Sequence, residues 1–133
     1  MADELHVPVD RDADIVAARQ AGREIAAGVG LKGSDLTLVA TAISEVARNI
    51  ISYAGHGEIV LQPLQQDGRK GILVIARDQG PGIADVGLAM QDGFSTGKSL
   101  GLGLPGAKRL MDEFEIQSSV GEGTTVIMRK WAR

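Results

Sequence analysis

The segment from Ser34 to Ala54 restricts the possible folds more than any other part of this 133-residue chain. Leu36, Val39, Ile43, Val46 and Ile50 recur at alternating steps of three and four, which predicts a helix with one apolar stripe. Ser34 stands ahead of it as a candidate cap, and Gly55 and Gly57 stop it. Such a stripe needs a second layer to cover it. An earlier helix is predicted from Asp12 to about Val29, where Ile15, Ala18, Gly22, Ile25 and Val29 form the apolar side. Asp10 to Asp14 are its capping candidates, and Gly28, Gly30 and Gly33 end it.

The remaining pattern is largely strand. Leu5 to Val9 alternates, and Glu58 to Gln66 and Gly71 to Asp78 read as two strands joined at Asp67-Gly68, a favoured hairpin pair. GILVIARD is apolar up to its charged end, which predicts a strand covered on both faces. Phe114 to Val120 and Thr124 to Trp131 form a closing hairpin around Gly121-Glu122-Gly123. A third helix is predicted from about Gly101 to Met111, although Gly103, Pro105 and Gly106 are poor helix formers and imply some other demand there. Residues 79–100, with one helical turn at Asp85 to Met90, are long for a plain connection, as ligand-serving loops are. This order describes a single domain spanning 1–133: an α/β (α+β) two-layer sandwich, mostly antiparallel, with helices on one face. No run of βα units and no GxxxxGK[ST] sequence is present, which weakens Rossmann and P-loop readings.

Composition excludes several classes. With no Cys and two His, disulfide-stapled and zinc-finger folds are out. A net charge of −3, from 14 Lys+Arg against 17 Asp+Glu, and four aromatic residues argue against nucleic acid as the main partner. No apolar run is long enough to span a bilayer, and MADELHVPVDRD has neither the basic start nor the apolar stretch of a secretory signal. A reducing, cytoplasmic setting without membrane contact is the expectation.

Four segments carry candidate chemistry. Glu45 and Asn49 lie four residues apart on the long helix, hence on one side of it and off the apolar stripe. An amide oxygen can ligate Mg²⁺ and a carboxylate can take a hydroxyl proton, although ExxxN alone equally describes a polar helix face. Asp78-Gln79-Gly80-Pro81-Gly82 puts a carboxylate at the end of a buried strand, where it could accept from the exocyclic amine of adenine. Gly82, lacking Cβ, would leave room for the ring, while a Pro-Gly turn with a solvated Asp is the plainer alternative. Gly97-Lys98-Ser99-Leu100-Gly101-Leu102-Gly103-Leu104 leads free backbone amides into a helix start, a place suited to phosphate, and Lys98 could add a point charge. Gly121-Glu122-Gly123-Thr124-Thr125 is a good turn by itself and could set a threonine hydroxyl near Asp78.

Read in order, EVARN, DQGPG, GKSLGLGL and GEGTT resemble the asparagine box, the two glycine boxes and the following threonine box of the GHKL ATP-binding superfamily, the Bergerat fold. Within it, DIVAARQAGREIA, AISEVARNI, DQGPGI, DGFSTGKSLGLGLPGAKRLMDEF and Lys130-Trp131 are similar to the RsbT-like switch-protein serine/threonine kinases of the bacterial stressosome. The resemblance implies an ATP- and Mg²⁺-dependent kinase that phosphorylates STAS-domain scaffold or antagonist proteins of the RsbS and RsbR kind. Once released, it would bind and activate a PP2C-type, RsbU-like phosphatase. By position it implies Glu45 as general base, Asn49 as metal ligand and Asp78 as the adenine-reading carboxylate. Gly80 and Gly82 would line the base, Gly97, Gly101 and Gly103 the phosphates, and Thr124 or Thr125 the adenine side. Lys98 and Leu102 depart from the small uncharged residues of that family's lid, although both fall within the nucleotide-binding segment.

Two other readings stand beside this one. GLGL also occurs in anti-sigma factor kinases of the RsbW type, and an ATP-gated binding module with little phosphotransfer would carry the same boxes. Retention of both Glu45 and Asn49 favours chemistry, because a pure binder needs the metal ligand but has less use for the base. A sensor-type histidine kinase is disfavoured because His6 falls in a strand and His56 just after a helix, so both are expected to be structural or surface groups.

Overall fold

The apolar stripe of the long helix is covered by a five-stranded sheet. The structure is a computed structural model and describes residues 4–82, 90 and 103–133. Its elements are β1 (Leu5–Val9), α1 (Asp12–Gly28), α2 (Ser34–Ala54), β2 (Gly57–Gln66), β3 (Arg69–Asp78), α3 (Gly103–Leu110), β4 (Glu113–Ser119) and β5 (Gly123–Trp131). The strands lie in the order β1-β2-β3-β5-β4, every neighbouring pair antiparallel. Helix α2 packs against both α1 and α3. The predicted two-layer sandwich is the observed architecture. The predicted turn of helix at Asp85 to Met90 has only Met90 within the described residues, and Gly101 and Leu102 at the start of the third helix lie outside them.

Local chemistry accounts for most boundaries. The Asp14 carboxylate accepts from the backbone N–H groups of Asp10 (2.8 Å) and Arg11 (3.2 Å), fixing the chain's entry into α1. Ser34 is the first residue of α2 and not its cap; Gly33, at φ 57°, holds the cap position without a side-chain hydrogen bond. Asp67 and Gly68 both have positive φ, as a two-residue hairpin turn matched to strand twist requires. That tight turn starts β3 at Arg69, two residues before the predicted Gly71.

The core lies between the layers. Val39, Ile43, Val46 and Ile50 of α2 meet Ile59 and Leu61 of β2, Ile72, Val74 and Ala76 of β3, and Val126 and Met128 of β5. Helix α1 approaches α2 so closely that a Cβ on Gly22 would run into the Ile43 side chain. The prediction that β3 is covered on both faces is corrected: core residues occupy only its alternating Ile72, Val74 and Ala76 positions. On the other face Ile75 lies between Val60 and Ile127 in the ladder, so neighbouring strands shield it in place of a second helical layer.

Lys130 is a buried cation of this core, at 5% exposure. Its Nζ donates to the Leu110 carbonyl at the end of α3 (3.0 Å) and lies near Asp112 (3.7 Å) and Asp35 (3.9 Å). A buried charge persists only when its hydrogen bonds are satisfied, so this contact pins the C-terminal end of α3 to the sheet.

Candidate nucleotide site

Glu45 is a carboxylate in the interior, 3% exposed on the α3 side of α2. Burial of an ionised group is costly unless both oxygens find donors, and here both do. Oε2 accepts from Arg48 Nη1 at 3.0 Å, and Oε1 accepts from the backbone N–H of Gly103 at 2.9 Å. Gly103 opens α3, where backbone donors lack intrahelical partners and partial positive charge gathers. The amide expected to meet phosphate therefore meets a carboxylate of the same chain. Asn49 lies one turn further along α2, half-buried. Of the predicted phosphate segment, Gly97, Lys98, Gly101 and Leu102 lie outside the described residues, and Gly103 is the member described.

Asp78 ends β3 on the helix-facing side, opposite Gly57 of β2 and Thr124 of β5. Its Oδ1 accepts from the Gly80 N–H at 2.9 Å, which turns the following loop back toward α2. Gly80 packs against Ala54 at the end of that helix. Gly82 has φ 77°, and a Cβ there would strike the Ser119 carbonyl. The expectation that Gly82 leaves space for a purine is thus corrected: the space is filled by the β4–β5 turn, whose Gly121 N–H donates to the Pro81 carbonyl (2.8 Å). Gly123, at φ 87°, crosses Asp78 so closely that any side chain would strike its carbonyl oxygen. The DQGPG loop and the GEGTT turn are one packed unit.

The two threonines separate. Thr124 shares the face of Asp78 and is buried, with Oγ1 2.7 Å from Ser118 Oγ. Thr125 pairs with Arg77 on the opposite face. It lines an open cavity of about 480 Å³ together with His56, Gly57, Glu58, Arg77, Asp78, Gln79 and Glu122. At that rim Glu58 takes Arg77 Nε on Oε1 (2.9 Å) and His6 Nδ1 on Oε2 (3.1 Å). Glu58, and then Glu4, raise the pKa of His6, while His6 and then Arg77 lower that of Glu58.

Helix α2 acts as a ruler between these parts. Ala54, against Gly80 and the Asp78 loop, lies nine residues beyond Glu45, roughly 13 Å at about 1.5 Å per residue, with Asn49 between them. The Asp78 loop, Asn49 and Glu45 thus follow one another along the length of α2. Among the described residues no group of three His, Cys, Asp or Glu could hold a metal alone. One amide oxygen fits an ion that brings most of its shell from phosphate and water, as Mg²⁺ does.

Sequence reasoning missed Arg48. The helix rule that pairs residues three apart was the signal that could have found it beside Glu45. It also missed Glu58, Arg77 and Glu122 at the cavity, which only strand register brings together.

Comparison with known proteins agrees with this fold. The family model described as histidine kinase-like ATPase domain matches residues 8–130. The serine/threonine-protein kinase RsbT of Bacillus subtilis (strain 168) is 51% identical over 133 residues, covering 100% of both chains. An anti-sigma F factor of Caldanaerobacter subterraneus subsp. tengcongensis is 37% identical over 99 residues, 70% of this chain and 68% of that one. Among solved structures, the RsbU and RsbW domains of a Mycobacterium tuberculosis protein superpose with TM-score 0.58 at 26% identity, over 98% of this chain and 33% of theirs. A mycobacterial sensor histidine kinase, MprB, shares the fold with TM-score 0.58 at 21% identity, over 97% of this chain and 99% of that one.

Proposed function

The chain belongs to the histidine kinase-like ATPase domain family, in its branch of RsbT-type serine/threonine-protein kinases, and from that premise we propose its substrates and its site. It transfers the terminal phosphoryl group of ATP to serine or threonine of STAS-domain scaffold proteins. Once released from them, it binds and activates a PP2C-type phosphatase in a partner-switching stress pathway. A cytoplasmic setting is part of this reading; no helix among the described residues is long and apolar enough to cross a membrane.

The observation that carries the proposal is the order of groups along α2, with Glu45 set against the first amide of α3. Asp78 reads the exocyclic amine of adenine with its carboxylate. Asn49 would hold Mg²⁺, which would supply neutralisation of the phosphate charge. Glu45 takes the acceptor hydroxyl proton, a contribution of about 10²–10⁴-fold in rate. The glycine segment 97–103, with Lys98 and Leu102, covers the phosphates, and Gly80 and Thr124, the threonine on the face of Asp78, border the base.

A second reading has an observation of its own. Both Glu45 oxygens are engaged, which would suit an ATP-gated binder that grips a phosphatase or sigma factor with slow transfer. Incubation with γ-labelled ATP, Mg²⁺ and a panel of purified STAS domains separates the two. Acid-stable label on serine or threonine is the expected result; tight nucleotide binding without label would favour the binder, and acid-labile label would indicate histidine chemistry.

A further inference from the structure

A buried carboxylate here holds the two kinds of donor that phosphoryl groups take, a backbone N–H at a helix start and a guanidinium. We propose that Arg48 is a further catalytic residue, one that binds the terminal phosphoryl oxygens of the nucleoside triphosphate during transfer. Glu45 occupies Arg48 and the Gly103 amide until that group arrives. The inference rests on the kinase reading and adds to it one residue and the order of events.

Position supports the role. At about 100° per residue, Arg48 lies roughly 60° to one side of Glu45 and Asn49 roughly 40° to the other, so base, metal ligand and guanidinium share one arc of α2. The Arg48 side chain is 27% exposed while that of Glu45 is 3% exposed, so the guanidinium lies nearer solvent than the carboxylate it pairs with. A terminal phosphate brings more charge and more acceptor oxygens than a carboxylate, so it competes well for the same donors.

The displacement sets up the chemistry. With Arg48 on the phosphoryl oxygens, Oε2 of Glu45 is released toward the acceptor hydroxyl. The hydroxyl oxygen attacks phosphorus, the bond from phosphorus to the bridging oxygen breaks, and its electron pair leaves with the nucleoside diphosphate. The hydroxyl proton passes to Glu45. Arg48 meanwhile stabilises charge on the non-bridging oxygens.

The test compares Arg48→Gln and Arg48→Lys with the unaltered chain. Titrations use ADP and the non-hydrolysable β,γ-imido analogue of ATP, and transfer is measured to whichever STAS domain the unaltered chain labels. For Arg48→Gln we expect ADP affinity to stay within about threefold, preference for the triphosphate analogue to fall about tenfold, and transfer to fall about 10²–10³-fold. Arg48→Lys should recover part of both losses. Adding Arg48→Gln to Glu45→Gln should slow transfer at least about tenfold further, because the guanidinium acts on phosphate and not only through Glu45. Equal weakening of diphosphate and triphosphate binding, or no further loss in the double variant, would overturn the proposal. If the glutamine variant does not fold by circular dichroism, the lysine variant carries the same comparisons, and a preference unchanged from the unaltered chain counts against Arg48. Nucleotide binding without any labelled STAS domain would instead remove the kinase reading, while the binding titrations still decide the role of Arg48.

Discussion

Glu45 and Gly103 stand 58 residues apart in the chain and 2.9 Å apart in the fold, carboxylate oxygen to backbone N–H. One contact therefore satisfies a buried charge and the first donor of α3, and it does so where a phosphate is expected to bind. Arg48, on the second oxygen, makes the arrangement a charge-balanced placeholder.

Replacing Glu45 separates chemistry from binding. Glu45→Ala should lower phosphoryl transfer about 10²–10⁴-fold while nucleotide affinity is kept, since the carboxylate no longer competes for the Gly103 amide. Loss of the helix-start contact should cost about 0.5–2 kcal/mol of stability. Labelled transfer, nucleotide titration and thermal melting check the three parts; equal loss of transfer and of affinity would count against the base assignment.

Asp78→Asn keeps an oxygen that can accept from the Gly80 N–H, so the loop should hold its shape and the melting temperature should stay near that of the unaltered chain. Adenine reading should suffer, because an acceptor-only group gains an NH₂. A hydrogen bond to a charged group contributes about 1.5–3 kcal/mol, so ATP affinity should fall by about tenfold or more. Calorimetric titration settles it, and unchanged affinity would sever Asp78 from the base.

Gly22→Ala probes the packing of the helical layer. Alanine is the better helix former, yet its methyl would meet Ile43. Overpacking should win, destabilising the chain by about 1–3 kcal/mol in urea denaturation. A stabilised variant would show that α1 can shift away at little cost.

The His6–Glu58 contact predicts a pH window. His6 has a raised pKa, so its contribution is complete below its ordinary value of 6.5 and fades as pH rises through the raised one. Glu58 has a lowered pKa, so its contribution is complete above 4.5 and fades as pH falls through the lowered one. The difference in denaturation midpoint between the unaltered chain and His6→Gln should be greatest between these values and vanish in alkaline buffer. Both groups reach solvent, so the effect should be small and weakened by salt. A difference that persists unchanged at high pH would remove the ion pair as its cause.

The sequence showed α2 to within about a residue at its start, because a stripe at three- and four-residue steps bounded by glycines is a local signal. It showed the hairpin at Asp67-Gly68 for the same reason. It named Ser34 as a cap where Gly33 serves, since cap choice depends on the entering backbone. Its apolar run in β3 suggested two covered faces, and periodicity could not tell a second layer from the lateral shielding of Ile75 by Val60 and Ile127.

By itself the sequence determined the elements and the chemical types of Glu45, Asn49 and Asp78, because helix period, turn preference and ionisable groups belong to neighbouring residues. Only the tertiary structure decided what those groups touch. The N–H of Gly103 reaches Glu45 because α3 is seated on α2 and pinned by Lys130, and Gly82 is needed for Ser119 and not for a purine. Both depend on packing between segments distant in the chain, which no local pattern encodes.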